Sequence, residues 1–229
     1  MSTDFSIKAG VCEPIAYIVD DDGPLCIALS TLLNSVGIQV ECFNCVDDFM
    51  EVDKPDTPSC LLLDVRLRGQ SGLAAQEQIV RRFGMPIIFI TAHGDIEMSV
   101  LAMKRGAVDF IEKPFRDQRI LDAVSIALSV DGSRREQRRS SHSLQCRYAS
   151  LTTREREVMC RVAKGLLNKQ IAAELGLSEI TVKIYRAQAM RKMDARSMAD
   201  FVLKAAALGL GSERPGGRFP AATHHFVND

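Results

Sequence analysis

The segment that most constrains the fold of this chain is Cys60–Asp64. Four apolar residues follow one another there, between a turn-like Thr57-Pro58-Ser59 and a polar loop. An apolar run without alternation predicts a short strand buried on both faces, as in a parallel sheet covered by helices. The run ends on the carboxylate of Asp64, at the carboxyl edge where open α/β sheets place their sites. The segment therefore predicts an α/β fold with a functional acid on its central strand.

Three further strand-like runs end on polar side chains. They are Ile15–Val19 with Asp20 and Asp21, Pro86–Ile90 with Thr91, and Val108–Ile111 with Lys113. Because the carboxyl ends of parallel strands share one edge, we expect these groups to converge. Neighbouring carboxylates repel one another unless a cation lies between them, and hard oxygen ligands favour Mg²⁺. A dication, an amine and a carboxylate nucleophile together suit phosphoryl transfer.

Charge divides the chain into two halves. Residues 1–131 contain 11 Lys and Arg against 20 Asp and Glu, a net charge of −9, whereas residues 132–229 contain 18 against 9, a net of +9. This asymmetry predicts an acidic regulatory or catalytic half and a basic half that binds a polyanion. The 7 irregularly spaced cysteines and the lack of an apolar signal segment indicate a reducing cytoplasm. No apolar run approaches the ~20 residues that cross a bilayer, so no membrane partner is expected.

The hydrophobic pattern predicts where these halves begin and end. Residues 15–131 read as five β/α repeats, which form a doubly wound five-stranded parallel sheet of flavodoxin-like type. Residues 1–14 are predicted to be a flexible leader, and residues 132–149 a linker that is partly helical as an extension of the preceding helix. Residues 150–209 read as a small all-α domain, and residues 210–229 as a disordered tail.

Several residues are predicted to cap helices. Asp22 is expected to begin the helix after the first strand, whose apolar stripe runs to Val36 before Gly37. Thr152 and Glu155 have the spacing of a capping box. Asn168 and Ser178 are expected to cap the two helices on either side of the Gly176-Leu177 turn.

The motifs at the acidic rim resemble those of a two-component receiver domain over residues 15–130. They are Val19-Asp20-Asp21-Asp22, Leu63-Asp64-Val65-Arg66, Ser71-Gly72, Ile90-Thr91-Ala92 and Ala107 through Lys113-Pro114-Phe115. The resemblance implies that Asp64 accepts a phosphoryl group from a sensor histidine kinase. It implies Mg²⁺ on Asp21, Asp64 and the Arg66 carbonyl, with Asp20 acting through water. It also implies that Thr91 and Lys113 sense the phosphate, that Phe110 is a switch aromatic, and that the Lys113–Pro114 bond is cis.

One position near the rim departs from the receiver pattern, and two placements are possible for another. Arg68 stands where receiver domains usually have proline, and we expect a looser loop and an altered phosphoryl lifetime. His93 follows Thr91 by two residues and lies either over the pocket or in a surface loop.

Residues 168–193 have the lengths and tight turn of a helix-turn-helix. One face of the second helix is expected to pack inward, through Val182, Tyr185, Ala189 and Met193. The opposite stripe is expected to contact DNA, and it contains Lys183, Ile184, Ala187, Gln188 and Arg191. Three residues outside the stripe are also expected to contact DNA, namely Lys169, Ser178 and Thr181. With Leu151-Thr152-Thr153-Arg154-Glu155 ahead of it, the region resembles the LuxR-type DNA-binding domain.

The two halves together resemble the FixJ/NarL class of response regulators. That resemblance implies a transcription regulator that is not an enzyme beyond accepting, and slowly losing, its phosphoryl group. It implies double-stranded promoter DNA, RNA polymerase and a phosphorylation-dependent homodimer as partners.

Other functions compete with this one. An aspartyl-phosphate phosphatase needs a second Asp two residues after its nucleophile, where this chain has Arg66. A phosphorylation-independent DNA-binding module with a degenerate receiver would have lost an acid or Lys113. The remaining alternative is an interaction bundle with a solvated basic face. Cys42-x-x-Cys45 has neither a second pair nor a nearby His, so ordinary packing is favoured there.

Overall fold

The apolar run at Cys60–Leu63 lies in the middle strand of a five-stranded parallel sheet. The structure is a computed structural model that describes residues 13–67, 70–92 and 96–211. The strands are β1 (Ile15–Val19), β2 (Gln39–Phe43), β3 (Ser59–Asp64), the short pair β4 (Arg66–Leu67) and β5 (Gln70–Ser71), β6 (Ile87–Thr91) and β7 (Asp109–Glu112). The main sheet has the order β2-β1-β3-β6-β7, and β4 and β5 form an antiparallel pair. This is the predicted doubly wound flavodoxin-like order.

Helices cover both faces of the sheet. They are α1 (Gly23–Asn34), α2 (Val46–Glu51), α3 (Gly72–Phe83), α4 (Ile96–Lys104) and the first turns of α5 (Asp117–Ala149). Leu61 and Leu63 point into a core with side chains of α2, α3 and α4. Cys60 and Leu62 point into a second core with α1 and α5. The central strand is buried on both faces because its side chains alternate between these two cores.

The four strands predicted from apolar runs agree with β1, β3, β6 and β7 to within one residue. Asp22 caps α1 as predicted, because its side chain accepts a hydrogen bond from the Leu25 amide at 3.2 Å. The predicted stripe of that helix was wrong at Val36, which lies beyond the last turn and is 53% exposed. Cys26 is buried instead, one turn from Leu29.

The helix α5 is longer than predicted. Residues 132–149, predicted as a linker, continue the helix without a break to Ala149. The backbone contacts divide the chain into two compact units at Arg138 and Arg139, within this helix. Arg135 pairs with Asp131 one turn earlier, an i,i+4 pair that favours helix over coil. Arginine and serine also have no steric reason to end a helix. The absence of an apolar stripe in residues 132–149 therefore did not indicate that the helix ends before them.

The described part of the second unit, residues 139–211, is all α-helical. Besides the end of α5, it contains α6 (Thr153–Ala163), α7 (Asn168–Leu175), α8 (Glu179–Lys192) and α9 (Met198–Ala207). Val158, Ile171, Val182 and Phe201 are fully buried in its core, one from each of these four helices. Leu144 and Tyr148 of α5 pack against the same core, which explains why the helix persists to that point.

The helix caps of this unit follow the predictions with one exception. Thr152 and Glu155 form the capping box, and Ser178 accepts from the Thr181 amide at 3.1 Å. Asn168 is not a cap, and that prediction was wrong. The helix begins at Asn168 itself, and Gln170 accepts from the Leu167 amide at 2.8 Å.

Some predictions fall outside the described residues. They concern residues 1–12 of the leader, Arg68, His93 and residues 212–229 of the tail. Among the described helices, none combines the length and the apolar character that a bilayer span requires.

Candidate functional site

Three carboxylates meet at the carboxyl edge of the main sheet. Asp20 and Asp21 follow β1, and Asp64 ends β3, which pairs with β1 so that Val19 lies beside Leu63. One oxygen from each carboxylate lies within 4.8 Å of the other two. Asp20 is only 2% exposed and Asp64 only 9% exposed. Hard oxygen donors at this spacing fit a Mg²⁺ ion that keeps several of its waters.

Lys113 supplies the positive charge of this cluster. Its Nζ lies 2.8 Å from the carboxylate of Asp20 and 3.4 Å from that of Asp64. The Lys113–Pro114 bond is cis, as predicted. Burial opposes the charge of the amine, but the hydrogen bond to Asp20 and the charges of both acids outweigh burial and raise the pKa of Lys113. The amine is therefore fully charged at neutral pH.

Opposing effects also act on the pKa of Asp64, and here burial prevails. Burial raises the pKa of its carboxyl above the ordinary value, whereas a hydrogen bond from the Arg66 amide and the charge of Lys113 oppose that rise. The Arg66 amide lies 3.1 Å from Oδ1, and Lys113 contacts Oδ2. Both oxygens of Asp64 are thus oriented by donors, which fixes the direction of any attack by this carboxylate.

Thr91, predicted to sense the phosphate, and Phe110, the predicted switch aromatic, lie on the neighbouring strands β6 and β7. Thr91 ends β6 and is fully buried, and its carbonyl accepts from the Lys113 amide at 2.7 Å. Phe110 is half-buried on β7, with its ring centroid 6.3 Å from that of Phe89. The adjacent strands β6 and β7 place Thr91 next to Glu112, so the hydroxyl, the aromatic ring and Lys113 belong to neighbouring backbone segments.

Gly72 is a residue of the site to which the sequence analysis gave no separate role. A Cβ at this position would overlap the carbonyl oxygen of Asp64. Only glycine allows α3 to begin so close to the central strand end. The signal was present in the Ser71-Gly72 motif, but its reason is visible only where the two segments meet.

The second unit presents a helix-turn-helix built from α7 and α8. Val182, Ala189 and Met193 are fully buried and Tyr185 is half-buried, as the predicted inward face requires. On the opposite side Ile184 is 50% exposed. Lys183, Ala187 and Arg191 are exposed as well, and Gln188 is half-buried. The assignment of faces on α8 agrees with the structure.

Other predicted contact residues lie near the start of the same helix. Lys169 is exposed on α7. The hydroxyl groups of Ser178 and Thr181 lie 2.8 Å apart and share a hydrogen bond. Ile180, which the sequence analysis did not select, is 71% exposed one turn before Ile184 and lengthens the apolar stripe. Its i,i+4 spacing from Ile184 was the available signal.

Two polar pairs that the sequence analysis missed hold these helices together. Nη1 of Arg186 donates to Oδ1 of Asn168 at 3.0 Å, which joins α8 to the first turn of α7. Nζ of Lys192 donates to Glu155 at 2.7 Å, which joins the end of α8 to the capping box of α6. Neither pair has a signal in local sequence spacing.

Comparison with known proteins assigns a family to each half of the chain. Residues 16–125 match the family described as the response regulator receiver domain, and residues 149–205 match the luxR family of bacterial regulatory proteins. Nodulation protein W of Bradyrhizobium diazoefficiens is 49% identical over 211 residues, which cover 92% of this chain and 91% of that protein. The chain belongs to the response regulators.

Other response regulators are similar over most of their length. The response regulator protein TodT of Pseudomonas putida is 44% identical over 190 residues, 82% of this chain and 83% of TodT. The solved structure of the response regulator StyR has a TM-score of 0.78 at 44% identity, and covers 85% of this chain and 99% of StyR. Full-length FixJ from B. japonicum has a TM-score of 0.51 at 34% identity, with coverage of 87% and 98%.

Membership in this family excludes one of the functional classes raised by the sequence. A receiver domain followed by a LuxR-type domain is the architecture of response regulator transcription factors, so this response regulator is not an enzyme of the phosphatase type.

Proposed function

We propose that this response regulator controls transcription through a phosphoryl group on Asp64. The observation that carries the proposal is the position of that carboxylate, between Lys113 and two further acids at the end of the central strand. An oxygen of Asp64 attacks phosphorus, and the P–N bond to a histidine of a sensor kinase breaks as the P–O bond forms. The kinase histidine keeps the electron pair of the broken bond.

Mg²⁺ held by Asp21, Asp64 and the carbonyl of Arg66, with Asp20 acting through water, would supply charge neutralisation for the incoming phosphoryl oxygens. Lys113 supplies a second positive charge, and its hydrogen bond to Asp20 holds the amine beside the acceptor. The Arg66 amide fixes one oxygen of Asp64. We expect slow loss of the phosphoryl group to water, since Asp64 has a small residual exposure.

The phosphorylated receiver is proposed to form a homodimer through α4 and β7. Movement of the Thr91 hydroxyl toward the phosphate would leave room for Phe110 to turn inward, and this reshapes the adjoining face. Several apolar side chains of α4 are exposed on that part of the receiver, namely Ile96, Val100, Leu101 and Met103. Exposed apolar side chains clustered on one helix are typical of an interaction surface.

The second unit is proposed to bind promoter DNA with α8 in the major groove. Lys183 and Arg191 flank the apolar pair of Ile184 and Ala187, which suits contact with phosphates or guanine edges on either side of a thymine methyl. Gln188 suits an adenine edge. RNA polymerase is the proposed further partner, and the cytoplasm, where bacterial DNA lies, the proposed location.

The phosphorylation test uses acetyl phosphate and Mg²⁺ with the full-length chain, followed by intact mass. Wild type is expected to gain the mass of one phosphoryl group, and Asp64→Asn to gain none. Asp122→Asn, an exposed acid on α5, is the matched control and is expected to behave as wild type. Phosphorylation of Asp64→Asn at the wild-type rate would show that another residue is the acceptor.

A second measurement separates the proposed switch from a phosphorylation-independent module. Light scattering and DNA binding are compared with and without acetyl phosphate at the same protein concentration. A higher mass and tighter binding are expected after phosphorylation. Equal mass and equal affinity in fully phosphorylated protein would favour the module.

A further inference from the structure

Cys42 of the Cys42-x-x-Cys45 motif lies beside Cys26 of α1. It lies on β2, at the edge of the main sheet, and is exposed. Side chains alternate along a strand, so Cys42 shares its face with Val40, which packs on the core formed with α1. Cys26 belongs to that core, on the first turns of α1. The strand and the helix therefore bring Cys42 and Cys26 together.

The contacts between these residues are close. Sγ of Cys42 lies 3.9 Å from the carbonyl oxygen of Cys26. Oγ of Ser30 bridges the two residues, 2.7 Å from that carbonyl and 3.2 Å from Sγ of Cys42. Burial raises the pKa of the Cys26 thiol to about 12, and the charge of nearby Cys42 adds to the rise.

Cys45 is engaged elsewhere. Its Sγ accepts a hydrogen bond from the Asp48 amide at 3.5 Å and caps α2. The two cysteines of the motif thus serve different elements, whereas Cys26 and Cys42 are within side-chain reach of each other.

We propose that Cys26 and Cys42 are a redox-active dithiol that closes to a disulfide when a hydroperoxide oxidises the exposed thiol. Cys42 attacks the peroxide, the O–O bond breaks, and Cys42 becomes a sulfenic acid as water or an alcohol leaves. The sulfur of Cys26 then attacks the sulfur of Cys42, the S–O bond breaks and water leaves with the thiol proton. The two sulfurs have together lost two electrons to the peroxide.

The pair lies next to the acidic cluster. Sγ of Cys26 donates a hydrogen bond to the backbone carbonyl of Asp20 at 3.5 Å, and the disulfide removes that donor. It also ties the first turns of α1 to the edge strand. We expect the disulfide to weaken Mg²⁺ binding at the acidic cluster, a consequence that rests on the proposed metal site, whereas the disulfide itself does not.

The first test maps the disulfide in the full-length protein after treatment with hydrogen peroxide and alkylation of remaining thiols. No Lys or Arg occurs between Lys8 and Lys54, so trypsin leaves Cys26 and Cys42 on one peptide. Cleavage after Glu41 by a glutamate-specific protease separates them. Wild type is expected to give a linked peptide pair that dithiothreitol releases.

Cys42→Ser and Cys45→Ser are the matched variants. The link to the Cys26 peptide is expected to disappear in Cys42→Ser and to persist in Cys45→Ser, where serine can still cap α2. A link in wild type between Cys42 and Cys45 would overturn the proposal. So would oxidation of Cys42 to the sulfinic acid while Cys26 remains a free thiol and is alkylated.

The second test measures Mg²⁺ binding by titration calorimetry on the oxidised protein and on the same sample after reduction. A several-fold weaker affinity in the oxidised sample is expected, with recovery after reduction. Equal affinities in protein with the mapped disulfide would overturn the coupling. Failure of Asp64 to accept a phosphoryl group would contradict the proposed function and leave the mapped disulfide in place.

Discussion

The Nζ of Lys113 lies 2.8 Å from the carboxylate of Asp20, although 93 residues separate the two in the sequence. The same amine is 3.4 Å from Asp64. Lys113 is therefore held mainly by Asp20 and directed from there toward the acceptor. Its role depends on the meeting of β1, β3 and the end of β7 at one edge of the sheet.

Replacement of Lys113 by alanine is expected to slow phosphorylation of Asp64 from acetyl phosphate by about 10- to 100-fold. A hydrogen bond to a charged group contributes roughly 1.5–3 kcal/mol, and every 1.4 kcal/mol is tenfold. The rate of mass gain measures this effect. Lys104→Ala on exposed α4 is the control and should keep the wild-type rate. An unchanged rate in Lys113→Ala would mean that the amine acts only after phosphorylation.

Glu155→Gln is expected to destabilise the second unit by about 1–3 kcal/mol at pH 7. The carboxylate is buried and accepts from the Thr152 amide and from Lys192 Nζ, each at 2.7 Å. Glutamine keeps the shape but loses the charge that pairs with Lys192. Denaturant unfolding of the full chain, followed by helical circular dichroism, measures the change. Glu157→Gln, which loses an exposed pair with Arg154, should cost less than about 1 kcal/mol.

The same glutamate predicts how stability depends on pH. Burial works against the charged form, but the hydrogen bonds from Lys192 and Thr152 prevail and lower the pKa of Glu155. A carboxyl with a lowered pKa in the folded state stabilises fully above its unfolded pKa, about 4.3. That contribution is lost as the pH falls through the folded value. The difference between wild type and Glu155→Gln should therefore shrink below about pH 4. A constant difference from pH 7 to pH 3 would contradict this origin.

Ile184→Ser is expected to relax base preference at one T·A pair by roughly 1–3 kcal/mol. Ile184 is half-exposed on the face of α8 away from the core, and the thymine methyl is the apolar group that the major groove offers. Binding to a set of single-base variants of the operator measures the preference. The salt dependence should hardly change, since no charge is removed. Unchanged base preference would mean that another face of α8 enters the groove.

Lys169→Ala is expected to lower affinity for all DNA sequences alike. Its exposed amine on α7 is the proposed phosphate contact, and removal of one such contact reduces the salt slope by about 1. The same operator set tests this at several salt concentrations. A selective loss at one base pair would identify Lys169 as a base contact instead.

Leu101→Glu is expected to abolish the phosphorylation-dependent dimer while Asp64 still accepts its phosphoryl group. Leu101 is one of the exposed apolar side chains of α4, and a charge there would have to be buried without a partner in the interface. Light scattering on fully phosphorylated protein gives the mass. Ile27→Glu, at an exposed apolar position of α1, is the control and should still dimerise. A dimer of normal affinity in Leu101→Glu would show that the interface does not include this face of α4.

Local sequence patterns were enough to predict the strands, the helices and the functional residues at the strand ends. A short apolar run between turn-like and polar segments predicts a strand covered on both faces, so Cys60–Leu63 already located the sheet and Asp64 on its edge. The periodicity of α8 likewise assigned Val182 to the core and Ile184 to the surface, because a helix of 3.6 residues per turn has no other way to bury one stripe.

The packing of the elements against one another was needed to show which groups meet across long separations in the sequence. Periodicity gives the face of a residue but not its neighbour on another element. Lys113 therefore paired with Asp20, Cys42 with Cys26 instead of Cys45, and Asn168 with Arg186 instead of capping its own helix. The extension of α5 through residues 132–149 depended in the same way on Leu144 and Tyr148 finding a core in the second unit. A polar helix of that length is stabilised by packing at its end, and local sequence carries no record of such a contact.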